Sequence, residues 1–239
     1  MKNLFVIIVL ALLATSCKDK DNKTTEEPKI VVNEDANLQY KIYQEAIKRN
    51  DMTTAVVALN NFMALDSSKP ELLDTLAFIY YDQKNPIAIS EVVNKILLSR
   101  PNDTIFLQMG AASEESIGKF DEAIQKYNTL YNINKDLRFK YQIAYLNYNK
   151  EDFKEGDRLM AEVIADPNSE KSVISLPSET GQPMTLKVKA AAYFTQGVIY
   201  AQVGQKDKAV NFFRKTLEIE SNFEPAAKYI NQLLYAKRR

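Results

Sequence analysis

Histidine and tryptophan are absent from this 239-residue chain, and cysteine occurs once, at Cys17. Without histidine there is no imidazole acid, base or metal ligand. A single cysteine excludes an intrachain disulfide and any paired-cysteine zinc or redox motif. Glycine and proline are scarce, at 6 and 8, which argues against a turn-rich all-β fold. No charge excess exists either: Lys+Arg and Asp+Glu are both 31, and removing a leader that contains Lys2 would leave 30 against 31. Nucleic-acid binders need a basic surplus to neutralise phosphates, so no nucleic-acid partner is expected. Lys237-Arg238-Arg239 reads as a solvated helix terminus. No glycine-rich phosphate loop is present. Carboxylates such as Glu26-Glu27 and Glu114-Glu115 are sequence neighbours that cannot converge as acid and base. The expectation is a chain that is not an enzyme, with no catalytic residue, no metal and no cofactor.

What is there begins with Met1-Lys2-Asn3 and an apolar run from Leu4 to Ala14. That run is too short for a membrane-spanning helix, which takes roughly 20 residues, and fits a signal-peptide core over 1–16. Leu13-Ala14-Thr15-Ser16-Cys17 resembles a bacterial lipobox, in which the cysteine thiol receives a diacylglycerol and becomes the new N-terminus. Here Leu13 lies four residues before the cysteine, one further than in the commonest pattern, and Ala14-Thr15-Ser16 would also suit an ordinary secretory peptidase. Residues 17–35, opening Lys18-Asp19-Lys20-Asp21, hold too little apolar surface to offset the entropy of ordering and are expected to be a disordered tether reaching at most about 60 Å. The charged start is similar to the segments that follow the lipidated cysteine in surface lipoproteins of Bacteroidetes. That resemblance implies an outer-membrane location, on the periplasmic or the surface side.

The rest of the chain repeats. Tyr43, Ala77 and Ala111 are spaced by 34, as are Ala55, Ile89 and Ala123, Leu59, Val93 and Tyr127, and Phe62, Ile96 and Leu130. Ala144, Gly156, Met160 and Val163 follow 33 residues later, and Gly197, Ala209, Phe213 and Thr216 follow 53 later still. The last unit reads Tyr193-x3-Gly197-x2-Tyr200-x3-Gly204-x4-Ala209-x3-Phe213-x3-Leu217, and Gly118-Lys119-Phe120-Asp121-Glu122-Ala123 repeats its second half. The period and these motifs resemble the tetratricopeptide repeat, two antiparallel helices per unit stacked into a superhelix. The expected fold is all-α, with five units over 36–69, 70–103, 104–136, 137–167 and 190–223. A capping helix over 224–239 would turn Ala226, Ala227, Ile230, Leu233 and Leu234 inward. Bulky Tyr43 and Ile89, and Gly156 in mid-helix at a cost of roughly 1 kcal/mol, are expected to loosen their interfaces.

An insert over about 168–187 interrupts the period. Its alternating arms, 172–177 and 183–188, read as a small β-hairpin packed on the array, or else as a loop decoration. Lying outside the repeating core, Ser169 to Pro183 should be replaceable by a short linker for tenths to about 1 kcal/mol.

The tetratricopeptide resemblance implies that first helices line a concave face. Alignment puts Tyr40, Phe78, Tyr81, Gln108, Tyr141, Tyr145, Tyr148, Phe194 and Gln202 there, as a surface for a protein or peptide partner. The competing reading is that some of these tyrosines fill the core; Tyr141, Tyr145 and Tyr148 share one helix face in either case. Tyr40, Gln44, Asp74 and Phe78 stand where the chaperone-binding subclass has carboxylate-gripping Lys, Arg and Asn, so that ligand type is disfavoured. Size, lipid anchor and repeat count are similar to those of repeat lipoproteins that scaffold outer-membrane protein assembly, which leaves a scaffold subunit as the alternative to a receptor.

Overall fold

The computed structural model describes residues 34–177 and 181–235. The expected signal peptide, Cys17, the expected tether up to residue 33, the insert tip 178–180 and the Lys237-Arg238-Arg239 terminus lie outside the described residues, while Glu34 and Asp35, expected at the end of the tether, open the first helix. Five helix pairs follow one another: α1 Glu34–Lys48 with α2 Met52–Leu65, α3 Leu72–Asp82 with α4 Pro86–Ser99, α5 Thr104–Ser116 with α6 Phe120–Asn134, α7 Leu137–Asn149 with α8 Phe153–Ala165, and α9 Val188–Gln202 with α10 Lys206–Ile219. A 3-10 turn at Pro167–Glu170 and strands β1 Val173–Leu176 and β2 Met184–Lys187 separate the fourth pair from the fifth, and α11 Glu224–Tyr235 closes the array. The architecture is that of a tetratricopeptide superhelix with a two-stranded insert.

Each pair turns at the same place. Asn50, Lys84, Gly118, Glu151 and Gly204 occupy left-handed backbone at φ 57°, 53°, 77°, 63° and 77°. The next N–H reaches back to cap the first helix, as Asp51 does to the Ala46 carbonyl at 2.9 Å and Gln205 to that of Tyr200 at 2.8 Å. The second helices then start on side-chain caps at Asp51, Asn85 and Asp152, which accept from Thr54, Ala88 and Glu155 N–H. Pro86 follows Asn85 at the first helical position, where its missing N–H leaves no bond unmade.

Within a pair, small residues admit aromatic rings. A Cβ on Gly197 would lie 2.6 Å from the Phe213 ring, and one on Gly156 would lie 2.7 Å from the Tyr148 ring. Gly156 therefore tightens its interface rather than loosening it: the backbone gives up side-chain volume that Tyr148 takes. Ile89 is buried, and half-buried Tyr43 packs with its ring 5.9 Å from that of Tyr40. Both bulky exceptions are absorbed into the packing. The adjacent carboxylates diverge as their spacing requires. Glu114 is fully buried and bound by Lys126 Nζ at 2.6 and 2.8 Å, with Ser90 and Asn94 of α4 beside it. Glu115 instead accepts from Gln142 on α7 at 2.8 Å. A buried carboxylate without such partners would cost several kcal/mol. Here it ties neighbouring pairs together.

The insert is packed structure. Val173 pairs with Lys187 and Leu176 with Met184 in an antiparallel ladder. Ile174, Leu176 and Leu186 join the large central core, Leu186 being 4% exposed, and Ser169 is buried with its hydroxyl donating to the Ile164 carbonyl at 3.3 Å. The expectation of a nearly free replacement is thereby overturned, because removal would uncover apolar surface on the array. In the cap, Ala226 is buried with Tyr229, Ile230 and Leu233 packed around it, while Leu234 points outward at 47% exposure. Tyr229 takes the inward place the sequence reading gave to Leu234.

Two tests follow from this packing. Lys84→Gly and Glu151→Gly each remove a Cβ from left-handed backbone and should raise stability by about 1 kcal/mol in urea titration. Leu186→Ala should cost about 2–4 kcal/mol. Val173→Ala, on the exposed face of the same hairpin, should stay within about 0.5 kcal/mol.

Candidate partner-binding surface

The first-helix positions singled out in the sequence do not share one environment. In the N-terminal half they are open. Phe78 is 47% and Tyr81 60% exposed, Gln108 is exposed, and Tyr40 is half-buried with Lys69 Nζ 3.8 Å above its ring. Phe78 lies beside the buried Phe106 ring at 5.8 Å, and Arg100 covers that ring while pairing with Asp74 and Asp103. Tyr81 and Phe78, three residues apart on α3, form an exposed aromatic patch, with Phe78 backed by Phe106.

Towards the C-terminus the same positions close. Tyr141 and Tyr148 are each 3% exposed and Phe194 is 7%, so these three are interior groups and not an open lining. Each has a cause. Tyr141 shares a hydrogen bond of 2.6 Å with Thr195 on α9, Tyr148 packs over Gly156, and Phe194 is walled by Phe213, Phe223 and Tyr229 at 5.7, 5.0 and 6.0 Å between rings. Tyr145 is half-buried against the central core, and Gln202 stands exposed at the end of α9.

The Tyr148 hydroxyl is committed to a polar cluster that sequence reading missed. It donates to Asp157 Oδ1 at 2.7 Å; Gln196 Nε2 reaches the same oxygen at 3.1 Å, Tyr200 donates to Oδ2, and Lys208 Nζ lies 3.5 Å away. Burial pushes the Asp157 carboxyl up, but hydrogen bonds from Tyr200 and Tyr148 and the Lys208 charge outweigh it and hold the group below the ordinary carboxylate range. Burial first, and then the hydrogen bond to this carboxylate, push the Tyr148 phenol up. Asp157 follows Gly156 in α8, and no spacing in the sequence marks it as the meeting point of four elements.

At the C-terminal end the first-helix face becomes a cleft of about 860 Å³. Phe194 and Val198 of α9 form its floor, Lys228, Tyr229 and Gln232 of α11 one side, and Pro183–Thr185 of the insert another. Lys228 and Gln232 stand 34 residues after Phe194 and Val198, so α11 is in effect the first helix of a sixth unit. Carrying the period one step past the last full repeat would have found these residues. The hairpin wall could not have been found that way. No group of three or more Cys, Asp or Glu side chains that could hold a metal ion occurs among the described residues, and none of their helices is long and apolar enough to cross a membrane.

No protein-family profile matches this chain, and no curated protein is significantly similar in sequence. Solved structures do resemble it. A tetratricopeptide repeat protein from Parabacteroides merdae is 15% identical with a TM-score of 0.54, over 84% of this chain and 73% of that one. YrrB, described as a tetratricopeptide-repeat protein with an unusual peptide-binding site, is 16% identical with a TM-score of 0.53, over 82% and 92%. A MamA structure is 19% identical with a TM-score of 0.51, over 82% and 96%. At such identities the likeness establishes the tetratricopeptide fold.

The burial pattern separates anchors from core. Tyr148→Ala should lose about 3–5 kcal/mol of stability, as large aromatic deletions do. The lowered Asp157 carboxyl contributes stability that is present above the ordinary carboxylate pKa of about 3.9 and lost as pH falls through the lower folded value. Asp157→Asn should therefore melt lower than wild type at pH 7, and the gap between their midpoints should narrow towards pH 3.

Proposed function

We propose that this chain is a non-catalytic adaptor of the bacterial cell envelope, held at the outer membrane by a lipid on Cys17 and recognising a protein partner through the concave, first-helix face. The observation that carries the binding part is the exposure of Phe78 and Tyr81, 47% and 60%, on a face where Tyr141, Tyr148 and Phe194 are tucked into the core. Aromatic rings left in water on a rigid helix cost little entropy to immobilise, which suits them to anchor a partner. The peptide-binding site named for YrrB supports the same use of the fold. Anchoring rests on the Leu13-Ala14-Thr15-Ser16-Cys17 motif and the charged tether behind it.

Wild type, Phe78→Ala and Tyr81→Ala would each be immobilised and challenged with detergent-solubilised envelope. Each variant should keep its melting point within a few degrees and weaken capture of the wild-type partner about 5- to 30-fold, equivalent to about 1–2 kcal/mol. Capture unchanged in both variants would sink the proposed face. A partner recovered in fixed stoichiometry would identify a scaffold subunit instead of a receptor. Cys17→Ala should move the protein from the detergent phase to the aqueous phase in phase separation; equal partitioning with wild type would rule out the lipid.

A further inference from the structure

The cleft beside α11 has one wall made of a strand, and that wall carries groups the helices cannot offer. In an antiparallel pair, residues that exchange two main-chain bonds alternate with residues whose N–H and C=O point outward. Val188 N–H donates to the Ser172 carbonyl at 2.9 Å. That bond makes Ile174 with Leu186, and Leu176 with Met184, the bonded pairs of the ladder. Thr185 and Lys187 therefore turn their main-chain groups away from β1. Lys187 N–H already reaches across the gap to Glu220 Oε1 at 3.4 Å. Thr185, two residues earlier on the same edge, lies in the wall of the cleft.

An outward strand edge is a template for another extended chain. Side chains alternate along such a chain, so a residue beside the one paired with Thr185 would face the floor, where Phe194, Phe223 and Tyr229 meet. At about 860 Å³ the space holds several residues. Its charge selects among ligands: among the described lining residues the only charged side chains are one carboxylate, Glu224, and one ammonium, Lys228, of opposite sign. A phosphate or a highly charged segment finds no complement there. An uncharged one does.

We propose that this cleft is a second recognition site, which takes an extended, uncharged peptide segment by adding it to the outer edge of β2 at Thr185, with a large apolar side chain seated against Phe194, Phe223 and Tyr229. It rests on reading the chain as a binding module, but it uses none of the Phe78 and Tyr81 surface.

The probe is a phage-displayed library of random nine-residue peptides selected on the full mature chain, with the enriched sequences synthesised and titrated. Expected are uncharged sequences with one large apolar residue, whose affinity changes less than twofold between 50 and 500 mM salt. Thr185→Pro deletes the outward N–H and leaves the ladder bonds of β2 intact; it should weaken binding at least tenfold. N-methylation of the peptide at the pairing residue should do the same on the wild-type protein, a measurement that does not depend on the variant folding. Tyr81→Ala should bind these peptides as wild type does. An empty selection, charged and salt-sensitive winners, or full binding to Thr185→Pro and by N-methylated peptide would each overturn the proposal. Peptides lost in Tyr81→Ala but kept in Thr185→Pro would overturn strand addition while leaving the adaptor reading standing. An empty selection together with failed envelope capture would remove both.

Discussion

Everything in this chain depends on a contact a helix pair cannot make alone. Ala55, Ile89, Ala123, Gly156 and Ala209 mark the same place in the five second helices, and all five are buried. Small residues at four of these five places, and small first-helix residues such as Gly197, let the helices of a pair approach until a ring such as Phe213 lies against the Gly197 backbone. The pair so formed still exposes one apolar flank, and only another pair can cover it. Stacking is thus compulsory, and its direction is set by the turn, which places left-handed backbone at each of the five corners. Three of those corners are not glycine. Asn50, Lys84 and Glu151 accept the strain, which shows how strongly the packing on either side determines the turn.

Most of this was legible in the residues. A 34-residue step locates the helix pairs because the period is a property of stacking, and stacking is what the apolar residues serve. The insert was legible as two alternating arms and no further. That Leu186 sits in the core depends on how the arms lie against α9, a long-range relation that alternation does not encode. The first-helix face was half legible. Alignment placed Tyr81, Glu115 and Tyr148 at one repeat position, yet the first is open, the second half-buried and the third enclosed. A repeat position fixes where a side chain starts; the neighbours in the next unit decide whether it ends in water. Gly156 shows the same limit, since its spacing read as a defect until the Tyr148 ring was seen to occupy the space.

The closing of the face towards the C-terminus divides the array into two kinds of surface. Around Phe78 and Tyr81 the rings stand in water, that of Phe78 resting against Phe106. Around Phe194 the aromatic groups are mutually packed, and what is offered is the hollow between them and the insert. The hairpin makes that difference, because it raises a wall where the other repeats have none. One fold therefore presents an aromatic patch on α3 and a walled cleft on α9, with α11 supplying the far side of the cleft as well as covering the end of the core.

The insert also changes what must hold the last pair in place. Elsewhere the links between pairs are short, from Asp66–Glu71 down to Lys135-Asp136, and connectivity alone restricts how the next pair can dock. Between α8 and α9 the chain runs from Asp166 to Lys187 before returning, which relaxes that restriction. Apolar packing is not directional and would tolerate a small slide of α9 along α7 and α8. Hydrogen bonds would not. At this junction Tyr141 meets Thr195, and Asp157 gathers Tyr148, Gln196 and Tyr200. Those bonds fix the register that the long connection no longer enforces.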